Sequence, residues 1–101
     1  MDYGSERWKK KRESILKRDG YQCQVSKRYG KLIPAKVVHH VFPSEDYPEY
    51  EWKDWNLISI SQGVHNSLHD RITGKLTPDG IALLKRIAKK HGINAEYPPP
   101  V

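Results

Sequence analysis

Hydrophobic positions follow helical spacing near both ends of the chain and strand-like spacing in its middle. Between residues 5 and 18, Trp8, Ile15 and Leu16 recur at i, i+7 and i+8, which predicts an amphipathic helix. Ser5 precedes this segment and is a favourable N-cap residue. The other positions of the helix are mostly Lys and Arg, so one stripe is predicted to pack against a core while the rest is basic surface.

Two short segments in the middle are predicted as strands. Residues 35–42 and 56–60 are rich in β-branched and other apolar side chains, a composition typical of strands. Residues 43–55 between them contain two prolines, which interrupt strand pairing and predict a loop. The two strands therefore form a hairpin with a long connection, whereas residues 21–33 are predicted to be irregular.

The C-terminal half is predicted to form two more helices. The first covers residues 61–73, and the second begins at a Thr77 cap and ends before Gly92. The order helix, strand, strand, helix, helix segregates the two kinds of element, so the predicted fold class is α+β. The predicted core collects the apolar positions of these elements: Trp8, Ile15, Leu16, Val37, Leu57, Val64, Leu68, Ile72, Leu84 and Ile87.

Length and composition predict one domain over residues 1–101. Its central part is about residues 35–73, and a proline-rich tail at residues 96–101 is expected to be extended and flexible. The N-terminal segment lacks the apolar stretch of a secretory signal, and the single cysteine excludes an internal disulfide framework. These features predict a cytoplasmic protein.

The charge pattern favours an anionic partner. The net charge is +6, and it divides into basic segments at residues 1–36 and 71–91 and an acidic one at residues 43–55. Such a balance is typical of proteins that bind nucleic acid or a membrane surface, although a Lys-rich helix face can also be merely solvated. The acidic loop is expected to point away from DNA or to contact a protein. Its aromatic side chains are expected to cap the domain or form a partner surface, with Trp55 in the core.

Four of the five histidines lie close together in the sequence. His65 and His69 stand at i and i+4 of the predicted helix, and His39 lies late in the first strand, beside His40. Either pair alone is common on protein surfaces, but both pairs on consecutive elements favour a metal site. Three imidazoles leave coordination positions open, as catalytic sites require.

These residues resemble a known family. The run VVHHVFP, Asn56 within WNLISI, and the two histidines of VHNSLHDR resemble the HNH (ββα-metal) endonucleases, in particular the small bacteriophage or prophage type. The nine-residue spacing from Asn56 to His65 matches the family motif, and the upstream run RDGYQCQVSKRYG is similar to the lead-in of such phage proteins. The resemblance covers roughly residues 8–84.

The resemblance implies a ββα-metal (His-Me finger) core of hairpin plus helix, with a basic N-terminal helix and a C-terminal helix around it. It implies that His39, His65 and His69 bind one divalent metal ion, which could be Mg, Mn, Ni or Zn. His40 would be the general base that deprotonates water. Asn56, expected opposite His40 across the hairpin, would hold the strand ends in register and orient that base.

The sequence departs from the family pattern at its cysteines. Many relatives hold a structural zinc with two Cys-x-x-Cys pairs, which here read Cys23-Gln24-Val25-Ser26 and Ser61-Gln62-Gly63-Val64. Because one thiolate cannot build a tetrahedral zinc site, no structural zinc is predicted. Cys23 is expected to be a buried remnant.

The sequence therefore predicts a divalent-metal-dependent endonuclease that nicks or cuts double-stranded DNA by one-metal catalysis. The resemblance also implies phage terminase or packaging proteins as partners, with the chain acting as a monomer or dimer. Alternatives are a non-catalytic, metal-containing DNA-binding or terminase-associated accessory module, and a small metal protein that binds partners through its acidic aromatic loop. The basic side chains expected to contact DNA are Lys9, Lys10, Arg12, Lys17, Arg18 and Arg71.

Overall fold

The computed structural model describes residues 1–100, and over that range it contains a two-stranded antiparallel sheet and four α-helices. The predicted α+β class is confirmed, since a β-hairpin followed by a short helix forms the centre and longer helices flank it. In chain order the elements are α1 (Glu6–Arg18), α2 (Gln24–Arg28), β1 (Val37–His40), β2 (Leu57–Ile60), α3 (Gln62–Leu68) and α4 (Pro78–Lys90), with 3-10 turns at Pro48–Tyr50 and Asp54–Asn56.

Local signals fix both ends of α1. The Ser5 hydroxyl accepts a hydrogen bond from the Trp8 amide at 3.1 Å, satisfying a donor that the first helical turn leaves open. At the other end Gly20 takes a φ of 63°, a left-handed conformation that ends the helix. The predicted stripe of Trp8, Ile15 and Leu16 is buried.

The hairpin lies between α1 on one face and α3 with α4 on the other. His40 pairs with Leu57, and His39 pairs with Ile58. Because side chains alternate along a strand, Leu57 packs with the apolar stripe of α1, whereas Ile58 and Ile60 pack with the buried side chains of α4. Both faces of the hairpin are therefore covered, and successive residues of β1 point to different layers.

The long connection between the strands folds over the core. Tyr47, Tyr50 and Trp55 pack edge-on around the fully buried Phe42. The aromatic residues therefore cap the domain, which was one of the two sequence-based alternatives. A charged contact between Lys11 and Asp54 ties the connection to α1.

Two predicted boundaries are wrong. Residues 24–28, expected to be irregular, form the short helix α2. The helix predicted over residues 61–73 ends at Leu68, because the Asp70 carboxylate accepts hydrogen bonds from the amides of Ile72 and Thr73 and stabilises a turn instead.

The shortened helix also changes the predicted core. Ile72 is 96% exposed, because its amphipathic position existed only in the longer helix. Val37 and Val64 are only partly buried against the core. The other predicted core residues are buried.

The C-terminal helix α4 begins where predicted. Thr77 caps it by accepting from the Gly80 amide at 3.2 Å. Within the tail predicted to be flexible, Tyr97 packs against the core, and Val101 lies outside the described residues. No helix within residues 1–100 has the length and apolar character needed to cross a membrane.

Candidate metal centre

A pocket with a volume of about 640 Å³ runs along the free edge of β1. Five consecutive residues, 36–40, line it. Each strand of a two-stranded sheet has one unpaired edge, and both faces of the sheet meet there. His39 and His40 point to opposite faces of the hairpin and still border the same pocket, because β1 is an edge strand and ends at His40.

Three histidines from different parts of the ββα unit converge at this pocket. Each of His39, His65 and His69 offers a ring nitrogen, and these nitrogens lie within 4.8 Å of one another. His39 belongs to β1 and His65 to α3. His69 is one residue beyond α3, in extended conformation with φ −126° and ψ 140°. The predicted placement of both histidines on one helix is therefore wrong, although their ring centroids are only 5.3 Å apart.

The chemistry of this cluster fits a metal ion. The Nε2 atom of His39 is buried and has no hydrogen-bond partner within residues 1–100, a costly state for a polar atom unless a ligand satisfies it. His69 Nδ1 lies 3.2 Å from the carbonyl oxygen of Gly74. The tautomer that donates to this oxygen leaves Nε2 with a lone pair, as second-shell contacts of metal-binding histidines do.

Burial favours the uncharged form of two of the three histidines. Burial, together with the nearby His69 and His65 rings, lowers the pKa of His39 to about 3. Burial and then His69 also lower the pKa of His65. At neutral pH His39 is therefore the neutral imidazole that metal coordination requires.

His40 is held on the α1 side of the pocket. Its ring stacks on Trp8 with centroids 5.3 Å apart and an interplanar angle of 19°, and Tyr3 contacts it edge-on. Its Nε2 lies 3.1 Å from the carbonyl oxygen of Glu51. The tautomer that donates there leaves Nδ1 as a free base. Burial lowers the pKa of His40, and the hydrogen bond to Glu51 partly offsets this effect.

Asn56 lies one residue closer to the loop between the strands than expected. Leu57, not Asn56, is opposite His40. The fully buried Asn56 amide accepts from the Phe42 amide at 2.7 Å and donates to the carbonyls of Phe42 and Tyr50, both at 3.1 Å. It therefore fixes the backbone that immediately precedes the Glu51 carbonyl on which His40 rests.

The basic residues predicted to contact DNA have different surroundings. Arg12 borders the pocket and donates to the Lys36 carbonyl at 2.9 Å. Arg18 makes contacts within the fold instead, with the Asp19 carboxylate and with the Asp54 and Leu57 carbonyls. Lys9 pairs with Glu6 at 3.5 Å. The remaining three, all exposed and outside the pocket lining, are Lys10, Lys17 and Arg71.

Several pocket residues were missed by the sequence analysis. Lys36, Tyr3 and Glu45 line the pocket, so the acidic loop does not point wholly away from this site as expected. Trp8 was assigned only to the core. It stands one helical turn before Arg12, so the two share a face of α1, and this spacing is the signal that could have placed both at the site.

The single cysteine is fully buried, as predicted. The Ser26 hydroxyl donates to its sulfur at 3.3 Å. Burial raises the pKa of Cys23, but hydrogen bonds from Ser26 and Ser61 outweigh it and lower the pKa overall. Cys23, Ser26 and Ser61 therefore lie close together in the fold. The absence of a structural zinc stays a prediction.

Comparisons with known proteins identify the family. Neither protein-family models nor curated proteins match the sequence. Among solved structures, the chain is similar to the crystal structure of the HNH endonuclease of the deep-sea thermophilic bacteriophage GVE2 with manganese ion. The TM-score is 0.61 and the sequences are 31% identical, and the match covers 63% of this chain and 70% of that one. With the histidine cluster placed on a ββα unit, this similarity shows that the chain belongs to the HNH endonuclease family.

Proposed function

We propose that this protein is a divalent-metal-dependent DNA endonuclease that hydrolyses phosphodiester bonds with one metal ion and a histidine general base. The observation that carries the proposal is the convergence of His39, His65 and His69 beside His40 in one open pocket. The similar structure, an HNH endonuclease with manganese, supports both the nuclease activity and the divalent metal.

His39, His65 and His69 would hold the metal ion. Three ring nitrogens leave coordination positions for substrate and water. The orphaned Nε2 of His39 supports this assignment, because coordination would satisfy it. When bound, a divalent cation supplies a Lewis acid that stabilises negative charge on the phosphate and on the leaving 3′ oxygen. The metal is Mg, Mn, Ni or Zn in this proposal. Imidazole nitrogens suit Ni and Zn, whereas Mg and Mn favour oxygen ligands such as water and phosphate.

His40 would activate the attacking water. While its Nε2–H group donates a hydrogen bond to the Glu51 carbonyl, its Nδ1 atom accepts a proton from water. The water oxygen then forms a bond to phosphorus, and the bond from phosphorus to the 3′ oxygen breaks. The products are a 5′ phosphate and a 3′ hydroxyl, whose proton comes from solvent.

Two cations would position the phosphate. Arg12 and Lys36 line the pocket that also contains the histidines. The Arg12 side chain is anchored on the Lys36 carbonyl, which limits its freedom before substrate arrives. A guanidinium offers several donors in a fixed plane and is suited to phosphate oxygens. Of the six basic side chains predicted to contact DNA, Arg12 is therefore the one that we place at the scissile phosphate.

The decisive test is plasmid cleavage by wild type and by His40→Ala, with Mg²⁺, Mn²⁺, Ni²⁺ or Zn²⁺. His40→Ala is expected to lower the cleavage rate by about 10²- to 10⁴-fold, as loss of a general base does. Calorimetric titration with Ni²⁺ should show that metal affinity is retained in His40→Ala and lost in His65→Ala. His91→Ala, which changes an exposed histidine outside the pocket, is the matched control.

Two results would contradict the proposal. Cleavage by His40→Ala at the wild-type rate would remove the assigned base. No cleavage by wild type with any of the four metals, together with salt-sensitive DNA binding, would favour the non-catalytic accessory module. Terminase partners, the monomeric or dimeric state, the single domain and the cytoplasmic location stay predictions.

A further inference from the structure

A second concave surface lies on the other side of α3 from the histidine pocket. It is a groove of about 410 Å³ between α2, α3 and α4. Val64 and Ser67 of α3 face this groove, whereas His65 faces the metal centre. The thickness of a single helix, about 10–12 Å with its side chains, therefore separates the two sites.

Two arginines from different elements meet in this groove. Arg28 comes from α2 and Arg86 from α4. Within residues 1–100 neither guanidinium donates a hydrogen bond or lies within 4.0 Å of a carboxylate, and this includes Asp79, which also lines the groove. Burial, together with the positive charge of Arg28, lowers the pKa of Arg86. The fold therefore brings two positive charges together without pairing either of them directly with a carboxylate.

The basic residues of this groove differ from two of those on α1, which are paired with carboxylates. On α1, Arg18 and Lys11 are engaged by Asp19 and Asp54. The two arginines in the groove between α2 and α4 make no such ion pair, and the groove also contains Tyr29, which is 74% exposed. Arginine guanidiniums and tyrosine hydroxyls are common donors to nucleic-acid phosphates.

We propose that Arg28 and Arg86 bind the phosphate backbone of the double-stranded DNA whose scissile phosphate lies in the histidine pocket. This inference rests on the proposed function. Duplex DNA carries one negative charge per about 1.7 Å of its axis, so a duplex lying across α3 presents phosphates to both sites at once. An anion seated between the two guanidiniums would also relieve their mutual repulsion. The groove then acts in holding and orienting the duplex, and not in the hydrolytic step.

The test is DNA binding by the full chain without divalent metal. Fluorescence anisotropy of a labelled duplex of about 30 base pairs, roughly 100 Å long, is measured in EDTA over a range of salt concentrations. The plot of log K against log salt has a negative slope. In Arg28→Gln and in Arg86→Gln the magnitude of this slope should decrease by about 0.9, the value expected for one phosphate contact. The double variant should lose about twice that, while kcat at saturating DNA stays at the wild-type value.

Three variants control the experiment. Lys53→Gln removes one charge at an exposed loop position outside the described pockets and should leave the salt slope unchanged. Arg86→Lys keeps the charge and should retain most of the binding, which separates loss of charge from loss of packing. His91→Ala, at an exposed position outside both the histidine pocket and the groove, should bind DNA in EDTA as wild type does.

The outcomes distinguish this inference from the proposed function. Salt slopes of the arginine variants equal to those of wild type and Lys53→Gln would overturn it, and would leave an acidic protein as the better partner for the groove. Because binding is measured without metal, a wild type that binds through these arginines but never cleaves would overturn the nuclease proposal and support the groove as a DNA contact.

Discussion

Asn56 illustrates how one side chain supports the site without touching it. Its amide is fully buried and satisfies three backbone groups of the connection between the strands. One of these is the carbonyl of Tyr50, the residue before Glu51, and the Glu51 carbonyl contacts His40. The asparagine thereby links the stability of the loop to the position of the proposed base.

We expect Asn56→Ala to destabilise the protein by about 2 kcal/mol or more, because it leaves the buried amide and carbonyl of Phe42 without partners, each costing about 1–3 kcal/mol. The free energy of unfolding from urea denaturation measures this. Asn94→Ala, at an exposed position, should change stability by less than about 0.5 kcal/mol. Equal stability of the two variants would show that the buried hydrogen bonds of Asn56 contribute little.

Trp8 is the second residue that acts through His40. We expect Trp8→Leu to lower kcat for cleavage, because the imidazole loses the flat surface on which it stacks, whereas Trp8→Phe should restore part of the rate. Metal affinity should not change, since the three proposed ligands lie across the hairpin from Trp8.

Trp55→Leu is the control for lost apolar burial, because Trp55 packs against the other core cluster. A kcat that falls equally in Trp8→Leu and Trp55→Leu would mean that Trp8 contributes only to stability. Rates are compared at a temperature at which both variants are folded, so that unfolding does not enter the comparison.

Among the elements, the contact between α3 and the start of α4 helps to position His69, the last of the three clustered histidines. The Thr77 hydroxyl donates to the Ser67 carbonyl at 2.6 Å, and the Thr77 amide donates to the Leu68 carbonyl at 2.9 Å. Gly80 lies against the same carbonyl, where a Cβ atom would come within 2.5 Å of the oxygen. His69 follows Leu68 directly, so this close approach helps to determine where His69 stands.

We expect Gly80→Ala to lower the melting temperature, although alanine favours helices over glycine by about 1 kcal/mol. The added methyl group meets a backbone atom that cannot rotate away, and such overpacking costs about 1–3 kcal/mol. Gly63→Ala in α3, where nothing lies within 4 Å of the added Cβ, should be neutral or stabilising. Thermal denaturation compares the two, and a Gly80→Ala protein as stable as Gly63→Ala would contradict the close packing.

At the scale of the whole molecule, folding buries His39 in its neutral form. Its pKa is about 3 in the folded protein, against an ordinary value of 6.5. The unfolded chain therefore binds a proton below pH 6.5 that the folded chain does not bind until about pH 3. Because stability rises with pH wherever the unfolded state binds more protons, lowering the pH across this interval should favour unfolding.

We expect the metal-free protein to lose stability between pH 6 and pH 4, with His39 contributing about 1.4 kcal/mol per pH unit, the value for one proton. His39→Phe should remove most of that contribution. Urea denaturation in EDTA at several pH values measures both proteins. Parallel pH curves for wild type and His39→Phe would show that burial of this histidine does not govern acid stability.

The amino-acid sequence by itself determined the features that depend on neighbouring residues. Ser5 and Thr77 marked the starts of α1 and α4, because a capping side chain bonds only to its own first turn. The β-branched run around Val37 and the prolines after it marked the hairpin and its long connection. The pairing of histidines with Asn56 was specific enough to indicate the family.

Only the tertiary structure decided which of these groups meet, because that depends on contacts between distant segments. The backbone turn made by Asp70 ended α3 before His69, a competition between two local conformations that periodicity does not reveal. Arg18 met Asp54 and Leu57 across the fold. Arg28 and Arg86, 58 positions apart in the sequence, share a groove only because α2 and α4 border the same side of α3. The sequence gives each arginine its positive charge, whereas the fold decides whether a carboxylate lies close enough to pair with it.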